Sequence, residues 1–596
     1  MRRLAAIALV SVLALATAQA PATGTPWWRV PAEPNRDLPP GLIPYHRIAP
    51  ALRDIAQRSN RVQVEVIGES VQGRDLYLVT VADPQSFGKF GRYQQLRRLM
   101  LRDPVRAQRR IAEYRDFKVP VFVNGSIHGN EWEGVDASIR LIRRLAFDND
   151  AETKKVLANT IVLFNVVQNP DGRVLGQRQN ANGFDLNRDF ITLSQPEVRA
   201  TVEQIVEWNP MVLLDLHGYV NPMLIEPATP PHNPNYEYDL YIKWALRQAE
   251  AMEDRLAAET GLPAVIPFRD WEDGWDDWPP IFTPMYAMYH GSYGHTLESP
   301  MRVNGSAVSL PPEERRQRAE TNVRAHMATS WGAMLFASEN KRAMVHDQIE
   351  VFRRGWLDEP QVPIGDTYGE EHEFIAEFPE AYVIPMGAGQ RSETSAIELV
   401  NHLLVNDVVV RRATRAFRVN GTTYPAGSYV VPMRQPKRGL ANTILEPGWD
   451  ISDVVPVMYD ISGWSLGELW GATVHSVPDG TPVRATTAPV RSSQEAAGSV
   501  EAGRAPRYAL LVNSPAAVRA VNELLDVGVD LWRSDDGRVF IPSSARTHIV
   551  RLANSLGLTF TRASALPVGA EPLERVDVAA AAGSDEYFVL TGLGFH

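Results

Sequence analysis

Apolar runs and helix-spaced apolar positions take turns along the first half of the chain. Pro120 to Ile127 (PVFVNGSI) is a short apolar run that predicts a buried strand, and Val135, Ile139, Ile142 and Leu145 then recur at helical spacing. Ile161 to Val167 (IVLFNVV) predicts a second strand and Met211 to Leu216 (MVLLDL) a third. Between them, Ser194-Gln195-Pro196-Glu197 has the form of a capping box opening a helix to about Trp208. This alternation predicts an α/β fold over residues 41–340, a mixed, mostly parallel sheet covered by helices on both faces.

The pattern changes after residue 340. Tyr382 to Pro385 predicts a strand, Ala396 to Val405 a helix, and Tyr424 to Pro432 a turn and strand, so residues 341–476 read as an accessory region. Residues 477–506 are rich in Ala, Pro, Ser, Thr and Gly without periodicity and read as a linker. Residues 507–596 regain order, with a strand at Tyr508 to Val512 and a helix at Pro515 to Leu525, and read as a small αβ C-terminal module. At the other end, Arg2 and Arg3, the apolar run Leu4 to Leu15 and Ala16-Thr17-Ala18 have the layout of a signal peptide over residues 1–18. An extended lead-in follows over 19–40, and a secreted or periplasmic protein is expected. No later stretch is long and apolar enough to predict stable membrane insertion.

Composition narrows the chemistry. A net charge of -11 over 596 residues argues against a nucleic-acid partner, which needs a basic face. The chain has no cysteine, so a metal would have to be held by His, Asp or Glu. His128-Gly129-Asn130-Glu131 follows the first predicted strand and precedes a helix, where a His and a Glu three residues apart can reach one ion. Asp215-Leu216-His217-Gly218 closes the third strand, and His128, Glu131 and His217 together form a His₂Glu set, a catalytic zinc pattern with one position left for water. Asn169-Pro170-Asp171-Gly172 has turn composition, Arg178 and Asp185-Leu186-Asn187-Arg188 follow it, and His295 to Ser299 is a short strand carrying Glu298. Trp271 to Trp278 (WEDGWDDW) reads first as a solvated acidic rim packed by its tryptophans, and second as a wall facing a cationic side chain.

In this order, HxxE, NPDG, an Arg, D-x-N-R, a strand ending in His and then T-x-E, the pieces resemble the zinc metallocarboxypeptidases over residues 41–340, and the whole chain resembles their large bacterial secreted members with C-terminal extensions. The resemblance implies one zinc per chain on His128, Glu131 and His217, with Asp185 fixing the His128 ring. It implies that Arg178 polarises the scissile carbonyl, that Asn187 and Arg188 clamp a substrate's terminal carboxylate, and that Glu298 is general base and then acid. The expected substrates are peptide or protein C-termini. Two departures stand out. Asn130 occupies a position where the best-known relatives have Arg, and the family's substrate-capping tyrosine has no assigned counterpart: Tyr286, Tyr289 and Tyr293 all precede Glu298, and none is at a spacing that decides it. A zinc amidase or cell-wall peptide hydrolase on the same scaffold remains an alternative, as does a binding protein on an inactive peptidase domain. The oligomeric state is not legible.

Overall fold

The computed structural model of the protein describes residues 26–113, 116–271, 277–364, 374–448, 450–451, 465–576, 578 and 589–595. The expected signal segment 1–18 and residues 272–276 of the tryptophan-rich loop lie outside them. The first half is built on an eight-stranded sheet. Its strands are β1 (Val62–Glu69), β2 (Asp75–Val81), β3 (Val119–Gly125), β4 (Thr160–Asn165), β5 (Val212–Gly218), β6 (Met223–Pro227), β7 (Ala264–Val265) and β8 (Tyr293–Ser299), in the order β1-β2-β4-β3-β5-β8-β6-β7. The centre β4-β3-β5-β8 is parallel; β1 runs antiparallel to β2, β2 to β4 and β6 to β8, and β7 runs parallel to β6. The three sequence runs form β3, β4 and β5, which are buried almost throughout, as strands covered on both faces must be.

Flanking helices include α1 (Tyr45–Arg58), α2 (Glu133–Phe147), α3 (Pro196–Trp208), α4 (Tyr238–Thr260) and α5 (Pro312–Leu357). Helix α3 ends where its pattern predicted, but its capping box does not form. Ser194 Oγ instead donates to Asp189 Oδ1 at 2.7 Å, and Glu197 accepts from the Val71 amide at 3.1 Å, because both are drawn into a buried polar network rather than back to the helix start.

Helix α5 has 46 residues and runs straight through the boundary expected at 340/341. Beyond it lies a five-stranded antiparallel sheet in the order His475–Val477, Ala381–Ile384, Tyr429–Pro432, Arg411–Ala413, Thr487–Pro489. Its strands alternate: Tyr382, Ile384, Tyr429 and Val431 join the main core, while Ala381, Val383 and Val430 form a small cluster on the other face. Thr487–Pro489 sits within the expected linker, so the linker's first half belongs to this sheet. The last region has a core of its own, made of Tyr508, Leu510, Leu524, Ile541, Ile549, Phe560 and their neighbours.

Candidate metal centre

Parallel strands deliver their carboxyl ends to one edge of the sheet, and there the candidate residues meet. His128 and Glu131 lie in the turn from β3 to α2, and His217 is the penultimate residue of β5. The turn is pinned from below by Asn169, whose Nδ2 donates to the carbonyls of Ile127 (3.2 Å) and Arg178 (3.1 Å) and whose Oδ1 accepts from the Gly172 amide (2.8 Å). Gly129 rests directly on the backbone of Gly172, so a Cβ at either position would collide with main chain or with Asn169. The Asn-Pro-Asp-Gly stretch is therefore a bracket for the metal loop, and Asp171 extends it by binding Arg74 (2.7 Å) and Ser70 (2.7 Å) of the β1–β2 turn.

His128, Glu131 and His217 are buried and bring one ligand atom each within 4.8 Å of one another. His128 Nδ1 lies 2.9 Å from Glu131 Oε1, His217 Nδ1 lies 3.2 Å from Glu131 Oε2, and the two Nδ1 atoms are 3.1 Å apart. The opposite nitrogens face carboxylates: His128 Nε2 meets Asp185 Oδ1 at 3.2 Å and His217 Nε2 meets Asp215 Oδ2 at 2.8 Å. A ring that gives its Nε2 proton to a carboxylate turns a lone pair outward at Nδ1. Two such lone pairs and a carboxylate pointing at one spot repel one another unless a cation lies between them, so this donor set fits a divalent metal. Burial opposes ionisation of Glu131, but His128 and His217 beside it hold its carboxyl well below the usual range.

Arg178, Asn187, Arg188 and Glu298 line a cavity of about 430 Å³ that opens at this cluster, with Asp185 behind them. Asp185 bridges His128 to Arg178, whose Nε donates to its Oδ2 at 2.8 Å. Burial resists, yet His128, Arg178 and Arg188 keep the Asp185 carboxyl well below normal. Glu298 lies directly opposite His217 across the β5–β8 pairing, and burial, reinforced by Glu131, pushes its carboxyl up to about 7. Asn187 Oδ1 accepts from Thr283 N at 3.0 Å, which directs its amide nitrogen, a pure donor, at the cavity. Arg188 lies over the Phe282 ring at 4.9 Å and also lines the cavity.

Further residues at or behind the site went unassigned in the sequence. Asp215 sits two residues before His217 on one strand face, a period-two relation that could have been read. Glu226 and Thr296 line the cavity, and so does Asp277, which is fully buried, so at Asp277 the expectation of a solvated acidic rim is wrong, while the buried Trp278 beside it packs as expected. Tyr286, Tyr289 and Tyr293 are buried and bonded to Asn406, Thr443 and Met344, and among the described residues the tyrosine lining the cavity is Tyr219. Asn130 is a wall residue whose carbonyl accepts from Asn304 at 3.2 Å.

Residues 48–278 match the family model for zinc carboxypeptidase. That segment is a zinc carboxypeptidase-family domain. The match stops short of Glu298. The chain is 33% identical over 102 residues to probable carboxypeptidase 2 of Trichophyton verrucosum, covering 17% of this chain and 20% of that protein. It is 25% identical over 199 residues to carboxypeptidase SOL1 of Arabidopsis thaliana, covering 31% of this chain and 35% of the relative. The chain thus spans a fifth to a third of the length of these curated relatives. Among solved structures, a metallo-carboxypeptidase from Burkholderia cenocepacia aligns with TM-score 0.34 and 18% identity over 50% of this chain and 68% of its own. Carboxypeptidase A from Helicoverpa armigera aligns with TM-score 0.36 and 16% identity over 49% and 74%. Among the described residues no helix is long and apolar enough to cross a membrane.

Proposed function

We propose that the chain is a secreted or periplasmic metallocarboxypeptidase that removes the C-terminal residue of peptides, using one zinc ion on His128, Glu131 and His217. The observation that carries this reading is the meeting of that donor set with Glu298, Asn187 and Arg188 in one cavity. Zinc bound there would supply Lewis acidity and lower the pKa of a coordinated water towards ~7. Glu298 is the proton carrier: its carboxyl lies near neutrality, so it can take a proton from the attacking water and return it to the departing amine. Arg178, held by Asp185, supplies positive charge where the carbonyl oxygen gains negative charge. Asn187 Nδ2 and the Arg188 guanidinium present donors to a free α-carboxylate and so select the end of a chain.

Two measurements test this. A peptide with a free C-terminus should be cleaved at least ~10-fold more efficiently than its amidated twin, and Arg188→Ala should remove most of that preference. Equal cleavage of both peptides, unmoved by Arg188→Ala, would replace the carboxypeptidase reading with an amidase or endopeptidase using the same cluster. Glu298→Gln should lower the rate on the order of 10²-fold or more while zinc content stays near one per chain. Loss of zinc in that variant would show that Glu298 is a ligand instead.

A further inference from the structure

A carboxylate sits where a peptide-binding cavity has no structural need of one. Strand β6 reads Met-Leu-Ile-Glu-Pro, fully buried, with Glu226 as its one charged residue. Glu226 is 2% exposed, lines the cavity, and its Oε1 has no hydrogen-bond partner. Its other contacts are Thr296 and the carboxyl of Asp277. Asp277 is itself held by Thr229, through the amide at 2.5 Å and the hydroxyl at 3.3 Å. Glu226 has no Lys or Arg partner among the described residues. A buried acid pair with an unfilled acceptor is costly unless a proton or a cation completes it.

The position of the pair matters as much as its charge. Glu226 pairs across the sheet with Thr296, and Thr296 lies two residues before Glu298 on the same strand face. The acid pair is therefore about 7 Å along the strand from the proposed proton carrier. Phe282 and Met285 line the same cavity and offer apolar surface to a methylene stem. The arginines of the wall are engaged elsewhere: Arg178 on Asp185, Arg188 on the Asn187 carbonyl and over Phe282, and Arg302 on Asn304.

We infer that the inner end of the cavity, where Glu226 and Asp277 meet, receives a cationic side chain, so that the substrate is a peptide whose free C-terminal residue bears an amine or a guanidinium. This rests on the carboxypeptidase reading, which supplies the free C-terminus. Burial pushes the Glu226 carboxyl up to about 7, in keeping with an acid lacking its counter-charge. The cation is met by a peptide or protein ending in lysine or arginine, whereas a cell-wall peptide ending in 2,6-diaminopimelate would set a carboxylate beside its amine.

The test uses the full-length, zinc-loaded protein and matched peptides ending in arginine, in citrulline (its uncharged isostere), in lysine and in 2,6-diaminopimelate. Arginine should be favoured over citrulline in kcat/KM by at least about tenfold. Glu226→Gln and Asp277→Asn, each checked for an unchanged melting temperature, should bring that ratio close to one. Lysine cleaved better than diaminopimelate, whose far end adds a carboxylate beside the amine, supports the cationic pocket and points to protein substrates; diaminopimelate preferred over lysine would overturn the pocket and point to the cell wall. Calorimetric binding of free arginine against citrulline to the unmutated protein reads the pocket without turnover and without relying on the variants' folding. Arginine bound in preference, with no peptide cleaved, would end the carboxypeptidase reading and leave the pocket standing. Cleavage of arginine and citrulline peptides at equal rates, or no binding preference, would overturn the pocket and leave the carboxypeptidase reading intact.

Discussion

Two regions follow the carboxypeptidase-like half, and they attach to it in opposite ways. The sheet containing Ala381–Ile384 and Tyr429–Pro432 turns one face into the main core, whereas the module beginning at Arg507–Leu511 keeps a closed core of its own. The difference extends to polar groups. Tyr286, next to the cavity-lining Met285, donates to Asn406 Oδ1 at 2.6 Å, Arg438 donates to Glu237 at 2.7 Å, and Lys437 reaches Asn209, Tyr289 and His290, all buried. The module, by contrast, touches its neighbour through contacts such as Asn513 to the Arg391 carbonyl, at the solvent edge. A region belongs to a catalytic fold when polar groups on each side are left unsatisfied without the other.

The largest expected effect separates the two by truncation. A chain ended after residue 357 exposes the core face that the second sheet covers and should be insoluble or unfolded. A chain ended after residue 497 should keep its melting transition and its zinc, because the cut falls between the two cores. A cut at 476, where the sequence placed the linker, also removes Thr487–Pro489 and the Gln494–Asn401 pair and should be less stable than the longer chain. Loss of zinc or folding in the 497 chain would erase the distinction.

Smaller effects sharpen it. Asn406→Leu strands the buried Tyr286 hydroxyl and should cost ~1–3 kcal/mol in chemical denaturation, whereas Asn513→Ala should stay within ~0.5 kcal/mol. Lys437 gives a pH signature. Burial, with Arg97 adding to it, pushes its ammonium down to about 7 from the ordinary 10.5. Between those values the unfolded chain binds more protons than the folded one, so stability should rise with pH from about 7 upward. Lys437→Met should flatten that rise in unfolding midpoints compared at pH 7 and 9; an unchanged slope would mean that Lys437 is not the group responsible.

What could be read in advance follows from range in sequence. Strands β3, β4 and β5 were legible because burial on both faces leaves a continuous apolar run. The gathering of His128, Glu131 and His217 into one candidate metal group was legible because each lies at a strand end in a short motif. Glu226 was not, since a single acid in MLIEP gains meaning only once Asp277 is brought beside it across about fifty residues. The boundary at 340 failed for a related reason. Helix α5 continues because residues such as Met344, Val345, Ile349 and Phe352 are buried in the main core, and their partners lie far away in the chain. The capping box failed because its serine and glutamate had stronger partners that local sequence does not reveal.

Helix α5 also sets what this protein can do mechanically. Forty-six residues of unbroken helix span about 69 Å and run beside α2 and α4 before Arg354 is gripped by Asp239 at 2.6 Å. A jaw-like closing of the second sheet on the first would have to bend that beam and break backbone hydrogen bonds along it. On the proposed reading, adjustment to an incoming peptide would then fall to the loops around the cavity, with this helix as the fixed anvil beneath them.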